Sequence, residues 1–145
     1  MTDPRAIRLL LVEDDPGDQL LIRQVIESST VPVQCVTVSD GGEALDYLSG
    51  SIGSDDTRPD LVLLDLNLPR ISGWEVLRRI RKDDALCELP VVILSTSSWA
   101  RDVRGAYRLG ANSYVSKPVT FEEFERLGQL LCDYWFALAL LPSGG

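Results

Sequence analysis

The run Leu61-Val62-Leu63-Leu64, closed by Asp65, constrains this chain more than any other segment. Four large apolar residues in a row, bounded by turn-forming residues, describe a strand buried on both faces. Such strands belong to parallel sheets covered by helices. The Asp65 carboxylate then stands where a buried strand meets solvent. Other segments end the same way. Ile7-Arg8-Leu9-Leu10-Leu11-Val12 runs into Glu13-Asp14-Asp15, Val91-Val92-Ile93-Leu94 into Ser95-Thr96-Ser97, and Ser113-Tyr114-Val115-Ser116 into Lys117-Pro118. In a parallel sheet these carboxyl ends share one edge, where open α/β sheets bind their ligands.

Strand-like and helix-like segments alternate five times, which predicts an α/β fold of βα units: a parallel sheet with helices on both faces. The first helix opens with Asp15 as N-cap and Pro16 at the first helical position, with Leu21, Val25 and Ile26 as its apolar face. A strand from Val33 to Val38 precedes a helix capped by Asp40, with Glu43 three residues on as its box partner. Residues 50–59, rich in Gly, Ser and Asp, read as a surface loop. Ser72 and Glu75 open a third helix reaching about Lys82, and a fourth covers Trp99 to Leu109 before Gly110. The fifth starts at Thr120, with Glu123 as box partner, and runs to about Leu140, ahead of Pro142. The 145 residues read as one domain, with a core over 7–131 and a C-terminal extension over 132–145.

Composition narrows the function. A net charge of -8 argues against binding nucleic acid or an anionic membrane, since phosphate surfaces reward clustered Lys and Arg. No apolar run approaches the roughly 20 residues of a membrane-spanning helix, and no leader-like segment is visible. Cys35, Cys87 and Cys132 lack metal-ligand spacing and read as thiols of a reducing cytoplasm. The chain contains no histidine, which excludes histidine acid–base chemistry, histidine metal ligands and a phosphohistidine of its own.

Glu13, Asp14 and Asp65 together would repel one another unless a cation neutralised them. An all-oxygen set suits Mg²⁺, or Mn²⁺, rather than zinc or copper. The same acidic run also fits a plain helix cap, and for Asp15 the cap is the expected role. Lys117 reads as an inward-reaching ammonium able to hold a phosphoryl oxygen or to pair with Asp65. Ser95 could cap the next turn or donate to those same oxygens.

The ordered set of acidic pair, Asp, hydroxyl and Lys-Pro, each at the end of its own strand, resembles the receiver domain of two-component response regulators, the CheY-like family. The resemblance covers Leu9 to about Leu131. It implies a flavodoxin-like (βα)5 fold with strand order 2-1-3-4-5. It also implies that Asp65 is the phosphoacceptor, with Lys117 and Ser95 as its assisting groups. Glu13, Asp14 and Asp65, with the backbone carbonyl of Asn67, would form the metal shell. Ser95 and Tyr114 would be the switch pair, and the peptide before Pro118 would be a cis candidate. The donor would be a phosphohistidine on a sensor histidine kinase. The segments Asp133-Tyr134-Trp135-Phe136, Leu140-Leu141-Pro142 and Asn112-Ser113-Tyr114 resemble regulators paired with bacterial phytochrome kinases. The implied protein is a single-domain regulator rather than an enzyme.

Two other readings use the same residues. An aspartyl-phosphate phosphohydrolase would want a second carboxylate two residues after its nucleophile, where Asn67 stands. A phosphorylation-independent interaction module would be expected to have lost the acidic pocket. The fifth helix is expected to place Phe121, Phe124, Leu127, Leu131, Tyr134 and Leu138 in the core. Trp135, Phe136 and Leu140 would then lie on an outer flank that pairs in a homodimer, or else fold back on the domain.

Overall fold

The computed structural model describes residues 6–52 and 57–142. Five strands alternate with five helices: β1 (Ile7–Val12), α1 (Pro16–Glu27), β2 (Val33–Val38), α2 (Gly41–Ser51), β3 (Leu61–Asp65), α3 (Gly73–Lys82), β4 (Val91–Ser95), α4 (Ala100–Leu109), β5 (Ser113–Ser116) and α5 (Phe121–Leu130). The sheet is parallel throughout, in the order β2-β1-β3-β4-β5. This is the expected flavodoxin-like (βα)5 architecture.

Alternation along the strands divides the core. Leu10, Val12, Val62, Leu64, Val91 and Ile93 face α2, α3 and α4, where Leu48, Leu77, Ile80 and Ala106 receive them. Leu9, Leu11, Leu61, Leu63, Val92 and Leu94 face the other layer, against Ile22 and Ile26 of α1 and Phe124 and Leu127 of α5. Every residue of β3 and β4 is buried, as their unbroken apolar runs require.

The helix starts follow their cap residues. Asp15, Asp40, Ser72 and Thr120 accept N–H bonds from Asp18, Glu43, Glu75 and Glu123, respectively. The Glu43 and Glu123 carboxylates return to Ser39 and Val119 N–H, one residue before the cap. Glu75 turns instead to Arg78 and Arg79, which hold its carboxyl down at about 2. Gly110 ends α4 with φ of 109°, a left-handed conformation that glycine adopts without steric cost. In α1, Ile22 and Ile26 are buried, whereas Leu21 and Val25 are only partly so. Helix α2 extends to Ser51, into the segment expected as loop, and residues 53–56 lie outside the described residues.

The fifth helix departs from its expectation. Regular α-helix stops at Leu130, and Leu131–Phe136 forms a π-helical turn followed by a short turn. The wider turn puts core residues five apart: Leu127 with Cys132, and Leu131 with Phe136. Phe136, expected on the outer flank, is therefore 5% exposed and packs in the core of its own domain. Trp135 is half-buried against that core. Phe121, Tyr134 and Leu138, expected inside, are exposed instead. Of the three residues expected on a dimer surface, only Leu140 is fully outward, at 99% exposure.

Candidate functional site

The carboxyl ends of β1, β3 and β4 bring their residues together as the strand pattern requires. Glu13 follows β1, Asp65 ends β3, Ser95 ends β4, and all three are buried. Asp14 is exposed beside them. One carboxylate oxygen each from Glu13, Asp14 and Asp65 lies within 4.8 Å of the others. Lys117, just past β5, reaches in with its side chain only 9% exposed. Its Nζ lies 2.6 Å from Glu13 Oε1, 2.8 Å from Asp18 Oδ2 and 3.1 Å from Asp65 Oδ2. The Lys117 backbone N–H donates to Ser95 O at 2.7 Å, fastening the two strand ends.

Asp65 is oriented from both sides. Asn67 N–H donates to Oδ1 at 2.9 Å, and Lys117 donates to Oδ2. Gly73 lets α3 start against this point. A Cβ there would stand 2.2 Å from Asp65 O and 2.6 Å from Leu66 Cα. The Gly73 N–H donates to Leu66 O at 3.0 Å.

Electrostatics follow from burial and crowding. Burial pushes the Glu13 carboxyl up to about 7, with the Asp65 charge adding to the rise. The Lys117 ammonium and Asp15 N–H oppose it only in part. For Lys117, burial alone would lower the pKa, but Asp18 and Glu13, then Asp65, outweigh it and hold the ammonium above its ordinary value. One lysine thus neutralises part of a cluster with at least four nearby carboxylates. Glu13 Oε1 is sealed from solvent with the Lys117 ammonium 2.6 Å away, and that ammonium is shared with Asp18 and Asp65. Three carboxylate oxygens within 4.8 Å of one another, two of them on buried residues and only partly neutralised by one shared lysine, fit a hard divalent cation.

The expected switch pair is connected through Ser97. Ser97 N–H donates to Ser95 Oγ at 3.1 Å, and the half-buried Tyr114 donates its hydroxyl to Ser97 O at 2.8 Å. The Lys117–Pro118 peptide does not meet the cis expectation, since every described peptide is trans. Trans is the lower-energy form even before proline, and Lys117 reaches all three carboxylates from it. Sequence reasoning missed Asp18. The signal was its place in the first turn of α1, three residues after the Asp15 cap, at the helix end that abuts the carboxyl edge of β1.

A sequence profile of the response regulator receiver domain matches residues 9–127. The chain belongs to the response regulator receiver domain family. It is 39% identical over 135 residues to the probable methanogenesis regulatory protein FilR2 of Methanothrix harundinacea, covering 93% of this chain and 87% of that one. It is 35% identical over 136 residues to response regulator Rcp1 of Synechocystis, covering 93% and 92%. Among solved structures, the phosphorylated cyanobacterial phytochrome response regulator RcpA superposes with a TM-score of 0.88 at 41% identity, covering 95% of this chain and 99% of that one. The Mn²⁺-bound form of Rcp1 gives 0.87 at 34% identity, covering 94% and 99%. The receiver domain is thus related to phytochrome response regulators. Among the described residues, no helix is long and apolar enough to cross a membrane.

Proposed function

We propose that Asp65 is a phosphoacceptor, taking a phosphoryl group from a phosphohistidine on a sensor histidine kinase. The observation that carries this reading is the placement of Asp65: buried at a strand end, hydrogen-bonded at both oxygens, and 3.1 Å from the Lys117 ammonium. An Asp65 oxygen attacks phosphorus, the phosphorus–imidazole bond breaks, and an acyl phosphate forms. Such transfer asks a protein mainly for positioning and charge neutralisation. Lys117 holds a phosphoryl oxygen, and the Ser95 hydroxyl donates to another. Glu13, Asp14 and Asp65, with the Asn67 carbonyl, would hold Mg²⁺ or Mn²⁺. When bound, the cation offsets the charge of the carboxylates and the phosphoryl oxygens.

The kinase is a phytochrome in this reading, supported by the 41% identity to RcpA across nearly the whole chain. The protein acts in the cytoplasm as a regulator rather than an enzyme. Phosphorylation changes its contacts through Ser95 and Tyr114. Its output includes a homodimer formed through the outward C-terminal residues, with Leu138 and Leu140 in place of the buried Phe136. The test is transfer from a phosphorylated phytochrome kinase to the parent and to Asp65→Asn. The parent should take up label within a single turnover of the kinase and the variant should not. Equal labelling of both would overturn the assignment.

A further inference from the structure

Ser97 has every polar group engaged, and its bonds reach β4, β5 and the start of α4. Its N–H donates to Ser95 Oγ at the end of β4. Its carbonyl accepts the Tyr114 hydroxyl of β5. Its own hydroxyl donates to Asp102 Oδ2 of α4 at 2.6 Å and accepts Trp99 N–H at 3.3 Å. Of these, the bond to Asp102 is the charge-assisted one, with the short distance that goes with it.

From this geometry we infer that Asp102 is a positioning residue for the phosphoryl site, acting through Ser97. The inference rests on Asp65 as the phosphoacceptor. Ser95 is 1% exposed, and its oxygen spends a lone pair on Ser97 N–H. Among the described residues no protein group accepts the Ser95 proton, so the bond from Ser97 N–H sets where the hydroxyl can donate, one residue beyond Leu94, the register partner of Asp65. That orientation depends on where Ser97 N–H sits. Ser97 in turn is a loop residue between β4 and α4, anchored outside the loop's own backbone by the Asp102 carboxylate. The same anchor fixes the carbonyl that holds Tyr114. Asp102 sits in the first turn of α4, so the helix start is tied by side-chain bonds to the phosphoryl site and to the β5 aromatic ring.

Pre-aimed donors matter because they need no reorganisation as charge develops. Removing the anchor should therefore slow phosphorylation without emptying the site of any contacting group. Substituting Asp102→Asn keeps an oxygen acceptor of the same shape, whereas Asp102→Ala does not.

The experiment compares the parent, Asp102→Ala, Asp102→Asn, Ser97→Ala and the Ser97→Ala/Asp102→Ala pair. Each is labelled with fluorotyrosine, and the Tyr114 resonance is assigned with Tyr114→Phe. The first readout is that resonance without phosphoryl donor. It should move in Asp102→Ala, stay at the parent position in Asp102→Asn, and move no further in the double variant than in either single one. The second readout is the rate of phosphorylation by acetyl phosphate with Mg²⁺. It should fall about tenfold in Asp102→Ala, the scale of one lost charge-assisted hydrogen bond, and recover in part in Asp102→Asn, whose amide oxygen keeps the acceptor without the charge. An unmoved Tyr114 resonance in Asp102→Ala would overturn the inference, as would an Asp102→Asn protein as slow as Asp102→Ala. If the parent itself takes no phosphoryl group, Asp65 as acceptor fails, and the Tyr114 readout alone decides the anchor.

Discussion

Gly73→Ala tests how closely the start of α3 is fitted to the acceptor strand. The added Cβ would stand 2.2 Å from Asp65 O and 2.6 Å from Leu66 Cα, both backbone atoms. Reaching an ordinary contact would take more than 1 Å of movement between the helix start and the strand end. Neither can yield by rotating a side chain. Overpacking of this kind costs typically 1–3 kcal/mol, and the backbone clash puts Gly73→Ala at the upper end, about 3 kcal/mol. For a chain of this length that corresponds to a fall in Tm of about 9 °C. The counterpart is Gly50→Ala, where a Cβ meets nothing within 4 Å and lies in α2. There the better helix propensity of alanine should raise stability by about 0.5–1 kcal/mol. Urea unfolding of both variants, with m unchanged, gives the two numbers directly. A Gly73→Ala protein within about 0.5 kcal/mol of the parent would refute the fitted approach, and a destabilised Gly50→Ala would refute the open space.

The Glu13 carboxyl is held at about 7 in the fold against 4.5 in the open chain. Its contribution is fully present below 4.5, is lost as pH rises from 4.5 to 7, and is flat above; at full size it is about 3 kcal/mol. Stability against pH, parent minus Glu13→Gln, should show that fall, and a difference that rises with pH would contradict it. Mg²⁺ or Mn²⁺ should raise the Tm of the parent through linkage. Asp14→Ala should lose that response and Glu13→Ala should keep part of it, with Trp74 fluorescence as a second probe. An unchanged response in Asp14→Ala would remove the carboxylate site. Sedimentation of the parent should show a dimer weakened in Leu138→Ser with Leu140→Ser. A monomeric parent, with and without phosphorylation, would end the homodimer proposal.

The sheet was legible because its signal is local and redundant. Buried runs such as Leu61 to Leu64 and Val91 to Leu94 are too short for helices and are bounded by turn residues, and four of the five helix starts, all but that of α4, carry a side-chain cap. The site was legible for the same reason, since a residue at a strand end inherits its position from the strand. Asp18 escaped because it contributes from a helix turn rather than a strand end. The C-terminal helix misled because the apolar pattern was followed at α-helical spacing, while a single π turn shifts every later residue around the axis. Phe136 thereby exchanged places with Tyr134 and Leu138, and nothing in the apolar pattern marks the turn. Ser97 and Asp102 could not be paired from sequence, since serine and aspartate at a helix start are ordinary capping residues.

The central claim is that Asp65 carries the phosphoryl group, and site mapping tests it most directly. The protein is incubated with Mg²⁺ and a phosphorylated donor, then reduced with borohydride, which converts an aspartyl phosphate to homoserine. Peptide mass spectrometry should find homoserine at position 65 alone, and none in Asp65→Asn or in a reaction run with a chelator. Homoserine at Asp14 or another carboxylate of the parent, with Asp65 intact, would contradict the account.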